Sequence, residues 1–248
     1  MYPVLFRIGN FDVTSFGVMV AVGAFAGLWL FRRELQLRGL PEAAADSAIA
    51  GLLGGLLGAK LLYVAEHMSD APAWDLLTDR GGMSWFGGLV GGIAAGLALM
   101  AVKRWPIVPV LSAATPALAL GHLLGRIGCF LVGDDYGRPT SLPWGVAFPE
   151  GLPPTVEPVH PTQVYEAVFL ALVTWLLIRW RRARVDDRVV IGRYLALTGA
   201  FRFAIEFLRV NERIAGPLTV AHLFAAAIVV VGLMLMRMTR SRPERVPV

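Results

Sequence analysis

The chain has 248 residues, of which 56% are hydrophobic and only 17% charged, with a mean hydropathy of +0.62. These values exclude an ordinary soluble domain and point to an all-α, polytopic membrane protein. One cysteine rules out an internal disulfide, and four histidines without HxxH or HExxH spacing give no reason to expect a metal or cofactor.

Apolar runs of about 17–25 residues suit a bilayer crossing. About seven are present, near 16–31, 46–65, 83–102, 107–124, 164–180, 191–208 and 218–236, and the whole of 1–248 is read as one transmembrane domain. The residues up to Thr14 are expected along the interface. No basic start followed by a short apolar stretch and a cleavage site precedes the first span, which is read as an uncleaved insertion signal.

Spans two and three are crowded with glycine. Gly51/Gly55, Gly54/Gly58, Gly87/Gly91 and Gly88/Gly92 are GxxxG pairs, which let helices approach closely. Close packing is the expected role, and room for acyl chains the alternative. Lys60, inside span two, is a buried cation that either snorkels or pairs with an acidic residue, and it joins the candidate substrate-binding residues. Span four is interrupted by Pro106, Pro109 and Pro116, tolerated where neighbours satisfy the freed carbonyls.

At the end of span four comes Gly125-Arg126-Ile127-Gly128-Cys129, continuing through Gly133, Asp134, Asp135 and Gly137 to Arg138. Charge at membrane depth is costly, about 2.5–3.5 kcal/mol per residue on insertion scales, so it marks a site. Guanidinium matches phosphate oxygens bidentately, and in a membrane the phosphate carrier is a phospholipid headgroup. Arg126 is thus read as a phosphate ligand on a helix broken by glycine, or as a partner of Asp134 or Asp135. A proline-rich extracytoplasmic loop, irregular and without helix, follows over about 134–160, with Trp144 and Phe148 at headgroup level.

His160-Pro161-Thr162-Gln163-Val164-Tyr165-Glu166 opens span five. Thr162 is expected to cap that helix, with Glu166 favouring its positive end. His160, Gln163, Tyr165 and Glu166 together exceed what a cap needs and are candidates at the mouth of a lipid site. On span six, Arg202, Glu206 and Arg209 share a face at i, i+4 and i+7. Arg202 is the deeper arginine. His122 and His222 are read as packed histidines.

Basic residues fall on alternate connections: Arg32, Arg33 and Arg38, then Lys103 and Arg104, then Arg179 to Arg188, and a tail with Arg237, Arg240, Arg242 and Arg245. The other connections are acidic. The positive-inside rule then places the N-terminus outside and the C-terminus in the cytoplasm. The net charge of +5 is explained by this topology, so no nucleic-acid partner is expected.

Three segments together resemble the prolipoprotein diacylglyceryl transferase family. Gly125 to Gly137 is similar to its G-R-x-G-N-F-x-N-x-E-x-x-G block, His160 to Glu166 to its H-P-x-Q-x-Y-E motif, and Phe201 to Arg209 to its F-R-x-x-x-E-F-x-R helix. Gly81-Gly82-Met83-Ser84 with Gly87-Gly88 resembles a fourth block. The resemblance implies a bacterial inner-membrane enzyme that moves diacylglyceryl from phosphatidylglycerol to a cysteine thiol of a prolipoprotein, near its signal peptide, releasing glycerol phosphate. It also implies catalytic roles for Arg126, Arg202, Glu206 and His160. Substrate contacts are implied for Asp134, Gly137, Cys129, Gln163, Tyr165 and Arg209. Cys129 stands where the family has asparagine, Asp134 where it has glutamate, Phe86 in place of a histidine and Val20 in place of a tyrosine. His160, Glu206 and Asp134 remain open as the proton acceptor. A lipid-binding paralogue without catalysis, and a transferase with another acceptor, are the alternatives.

Overall fold

A computed structural model of the protein describes residues 2–9, 11–79 and 81–238. Arg240, Arg242 and Arg245 of the basic tail lie outside the described residues. The elements run β1 (Val4–Ile8), β2 (Phe11–Thr14), α1 (Ser15–Gln36), α2 (Asp46–His67), α3 (Ala73–Thr78), α4 (Trp85–Val102) and α5 (Ile107–Val132). After these come β3 (Val146–Phe148), β4 (Thr155–Val159), α6 (Thr162–Arg182), α7 (Asp187–Glu206) and α8 (Val220–Arg237).

Among the described residues six helices, α1, α2, α4, α5, α6 and α8, are long and apolar enough to cross a membrane, making this a multi-pass membrane protein. The remaining long helix, α7, has 20 residues, about 30 Å at the usual helical rise. It is set apart by Arg188, Arg193, Arg202 and Glu206. Two short antiparallel hairpins, β1–β2 and β3–β4, supplement the helices, one in the N-terminal segment and one in the long loop.

The chain divides into two compact units, residues 32–110 and residues 1–31 with 111–248. In the first, α2 crosses α4 at the paired glycines. A Cβ on Gly58 would lie 2.4 Å from the Gly87 carbonyl oxygen, and one on Gly54 2.8 Å from that of Gly91. Close packing is therefore the role of Gly54, Gly58, Gly87 and Gly91, whereas Gly51, Gly55 and Gly88 line an apolar groove between the two helices. Gly58→Leu is expected to destabilise the protein by about 1–3 kcal/mol through overpacking. Gly125→Ala should leave stability unchanged or raise it by up to about 1 kcal/mol, since nothing lies within 4 Å of the added methyl and alanine favours the helix. Thermal unfolding in detergent reads both. Lys60 donates to the carbonyls of Asp79 (2.6 Å), Gly81 (3.0 Å) and Gly82 (3.3 Å). Among the described residues it meets no acidic side chain, because loop carbonyls use its three donors.

In the second unit, α7 crosses α8 closely, and a Cβ on Gly192 would lie 2.5 Å from the Gly232 carbonyl. Val173 and Leu177 of α6, Ala119 of α5 and Val190 of α7 form a buried core. Arg181 is buried beside them, donating to Ser112 Oγ at 2.7 Å and facing Asp187 at 3.6 Å.

Helix α5 differs from the sequence reading. It does not end near residue 124 but continues through Gly125 and Gly128 to Val132. Pro116 deprives the Ser112 carbonyl of its helical donor, and the Thr115 hydroxyl supplies one at 2.9 Å. The break comes at Gly133, whose φ of +79° is open to glycine at little cost. Arg126 therefore sits on regular helix, held at a fixed azimuth.

Candidate active site

Three helices and the turn after α7 bring their charged residues to one point. At its centre is Glu166, in the second turn of α6, its side chain 4% exposed. Oε2 lies 2.7 Å from Arg126 Nε of α5, and Oε1 lies 3.7 Å from both Arg202 Nη1 and Arg209 Nη1. One buried carboxylate thus faces three guanidiniums. The sequence places Glu166 at a helix end and at the mouth of the site; the structure puts it at the centre.

Each arginine has a second carboxylate. Arg126 donates to Asp135 Oδ2 at 2.8 Å, Arg209 pairs with Asp135 Oδ1, and Arg202 Nη2 lies 2.7 Å from Glu206 Oε2. The carboxylates balance the guanidiniums, so attraction for an anion is local and depends on guanidinium edges turned away from them. Arg202, with 30% of its side chain exposed, offers the most of such an edge. Arg209 does not share the α7 face as expected. The helix ends at Glu206 and Arg209 lies in the following turn.

Glu206 is held from behind. Its Oε1 accepts from Asn211 Nδ2 at 2.7 Å and from the Thr219 hydroxyl at 2.8 Å. Thr219 caps α8, its N–H donating to His222 Nδ1 at 3.0 Å in a reciprocal capping box. His222 is buried against Phe203 and Phe207. It is thus more than a packed histidine, since it fixes the cap that fixes Glu206.

The segment after α5 is locked onto α6. Thr162 forms no cap; its hydroxyl donates to the Asp135 carbonyl at 2.8 Å, and Gln163, fully buried, donates to the Asp134 carbonyl. Asp135 has a φ of +60°, a conformation that aspartate adopts more readily than most residues. Burial acts to raise its carboxyl, but Arg209 and Arg126 outweigh that and hold it below the ordinary carboxylate value. For Asp134 burial prevails and pushes the carboxyl up. Cys129 is buried beside these two, with potential ligand atoms of the three residues within 4.8 Å of one another. Asp135 is already committed to two arginines. Gly137 is squeezed between strands of chain, since a Cβ there would lie 2.7 Å from the Leu208 carbonyl and 3.0 Å from His160 Cβ.

His160 and Tyr165 lie beside this cluster, not within it. Tyr165 Oη is 3.4 Å from His160 Nδ1 and accepts from Trp144 Nε1 at 2.8 Å. Trp144 is exposed as expected for a headgroup contact, but Phe148 is fully buried, stacked on Tyr136 at 5.4 Å. Lys60 belongs to the other unit. His122, read as packed, is half exposed on α5 with Nε2 3.9 Å from Glu166 Oε2. A signal for it was present: His122 precedes Arg126 by four residues, one helical turn on the same face.

The family model for prolipoprotein diacylglyceryl transferase matches residues 3–238. A phosphatidylglycerol--prolipoprotein diacylglyceryl transferase of Clostridium tetani is 32% identical over 251 residues, covering 98% of this chain and 100% of the relative. The enzyme of that name from Geobacter sulfurreducens is 35% identical, covering 93% and 92%, and that from Chromohalobacter salexigens 32% identical, covering 97% and 93%. With matches of this length to the family model and to these relatives, the chain belongs to the prolipoprotein diacylglyceryl transferase family.

Proposed function

We propose that the protein moves the diacylglyceryl group of phosphatidylglycerol to the lipobox cysteine thiol of a prolipoprotein and releases glycerol phosphate. The observation that carries this reading is the convergence of Arg126, Arg202 and Arg209 on the buried Glu166. The reaction is a displacement at carbon with a phosphate leaving group. Arginines fixed in advance stabilise the charge that develops on that phosphate, and in a site shielded from water this is the largest contribution expected.

Arg126 and Arg202 hold the phosphate in this reading, with Glu166 and Glu206 setting their guanidiniums. Arg209, Asp135, Gln163 and Gly137 keep the segment after α5 in place. Asp134 and Cys129 line the pocket, and His160 and Tyr165 stand at its mouth, where the prolipoprotein signal peptide approaches. Lys60 supports the loop before α4. The whole chain works as one transmembrane domain in the bacterial cytoplasmic membrane, the loop over about 134–160 and the N-terminus outside and the C-terminus inside. The basic residues Arg179 to Arg188 support that orientation. In a Cys129→Ser background, a cysteine placed at Arg184 should resist impermeant maleimide in intact cells, whereas one placed at Val156 should label. Labelling at Arg184 from outside would reverse the orientation.

The function itself is tested with purified protein, phosphatidylglycerol labelled in its acyl chains, and a lipobox peptide. Label joined to the peptide through a thioether, with one glycerol phosphate released per transfer, is the expected result. Lipid binding without transfer would point to a carrier. Transfer only to a nucleophile other than the peptide thiol would point to a different acceptor.

A further inference from the structure

The transferase reading places a demand on the site that the arginines cannot meet. A thiol ionises near pH 8.5 when unperturbed, and only the thiolate is strongly nucleophilic, so a group near the phosphate clamp must take the thiol proton. Among the described residues, most acceptors around the clamp are already engaged. Glu166, Glu206 and Asp135 each face two or more guanidiniums, and Glu206 also accepts from Asn211 and Thr219. Asp134 keeps one carboxylate oxygen without a hydrogen-bond partner, but that oxygen is fully buried in the neighbourhood of Cys129 and not exposed to an incoming thiol. Nδ1 of His160 faces the Tyr165 hydroxyl outside the cluster, and His222 is sealed behind Phe203 and Phe207.

His122 is differently placed. Its side chain is 46% exposed, and its Nε2 lies 3.9 Å from Glu166 Oε2, the same oxygen that Arg126 Nε contacts at 2.7 Å. One turn of α5 separates it from Arg126, about 6 Å along the axis, which leaves room for a carbon between a phosphate on the arginine and a sulfur beside the ring. At 3.9 Å Nε2 makes no hydrogen bond to Glu166, so among the described residues neither ring nitrogen is claimed and the unprotonated one is open to accept. The charged groups facing the ring are Arg126 on its own helix, Glu166 on α6 and Arg202 on α7.

We infer that His122 is the proton acceptor for the attacking thiol, a catalytic residue of this chain. The step balances as follows. The S–H proton passes to the unprotonated ring nitrogen of His122 as the sulfur lone pair forms the C–S bond to the glyceryl carbon. The C–O bond of that carbon breaks and its electron pair stays on the phosphate oxygen, which Arg126 and Arg202 stabilise. The proton then leaves the imidazolium to the departing glycerol phosphate or to water. Glu166, 3.9 Å from the ring, offsets its transient charge, so one carboxylate serves both the phosphate clamp and the base.

This inference rests on the transferase reading, and its test separates the two. Unaltered protein, His122→Gln and His122→Ala are assayed with phosphatidylglycerol and a lipobox peptide, with thermal unfolding as the check on folding. A second peptide carries selenocysteine in place of the acceptor cysteine, since a selenol is already ionised at neutral pH and needs no base. Both variants should lose about 10²–10⁴-fold in kcat with the cysteine peptide, the range usual for general base catalysis, and keep KM for phosphatidylglycerol within about threefold. Their rates should climb through the ordinary thiol range near pH 8.5, and the selenocysteine peptide should restore most of the activity. Unchanged kcat in a folded variant would overturn the assignment. So would an equal loss with the selenocysteine peptide, which would make His122 a positioning residue. No transfer by the unaltered protein would instead refute the transferase reading and the inference with it.

Discussion

Glu166→Gln is expected to fold and reach the membrane yet lose at least about a hundredfold in transfer. Removing one partner of a buried ion pair costs about 3–5 kcal/mol because the other charge is left uncompensated, and here three guanidiniums share the partner. The glutamine amide keeps the shape of the carboxylate and one acceptor oxygen, so Arg126 retains a contact. It supplies no negative charge, and Arg126, Arg202 and Arg209 then repel one another. The guanidiniums shift from the positions in which they meet the phosphate, and displacements near 1 Å at a reacting centre can cost about a hundredfold. Glu166→Ala removes the acceptor as well and should also lower the unfolding midpoint. Transfer within threefold of the unaltered protein in a folded Gln variant would remove Glu166 from the centre of the site.

The second large effect belongs to Arg202. Arg202→Ala is expected to lose about 2–5 kcal/mol of stabilisation, roughly thirtyfold to several thousandfold in rate. Its partner Glu206 is secured by Asn211 and Thr219, so the loss should appear in phosphate handling more than in folding. Arg202→Lys should recover little of it. Lysine offers a point charge on a flexible stem, and it cannot reach Glu206 and Glu166 together while presenting a free edge to phosphate. Initial rates with labelled phosphatidylglycerol, measured beside the amount of folded protein in the membrane, decide it. A lysine variant with near-full activity would mean that charge alone suffices and that the bidentate argument is wrong.

Much of this fold is legible in one dimension because a bilayer demands long apolar helices. The spans read near 46–65, 83–102 and 218–236 match α2, α4 and α8 to within two residues. Errors arise where local rules are overridden by partners distant in sequence. Glycine at 125 and 128 suggests a break, but the helix continues to Gly133, where a left-handed turn is built. Thr162 has the chemistry of a cap, and its hydroxyl is claimed by Asp135, 27 residues away. Arg126, Arg202, Glu206 and Arg209 were visible as charges in apolar surroundings. Glu166 is legible as a residue at the mouth but not as the centre, because an acidic residue near a helix start already has a local explanation. His122 and His222 were passed over for the same reason, since an isolated histidine on an apolar stretch gives no sign of what faces it.

The central claim is that Glu166 holds the arginines so that Arg126 and Arg202 grip the lipid phosphate. An experimental structure of the protein with phosphatidylglycerol in lipid nanodiscs tests this most directly. The account predicts phosphate oxygens within about 2.7–2.9 Å of guanidinium nitrogens of both Arg126 and Arg202, the distance of charge-assisted hydrogen bonds, with Glu166 still contacting Arg126. A phosphate bound elsewhere, with Arg126 and Arg202 satisfied only by Glu166, Asp135 and Glu206, would contradict it.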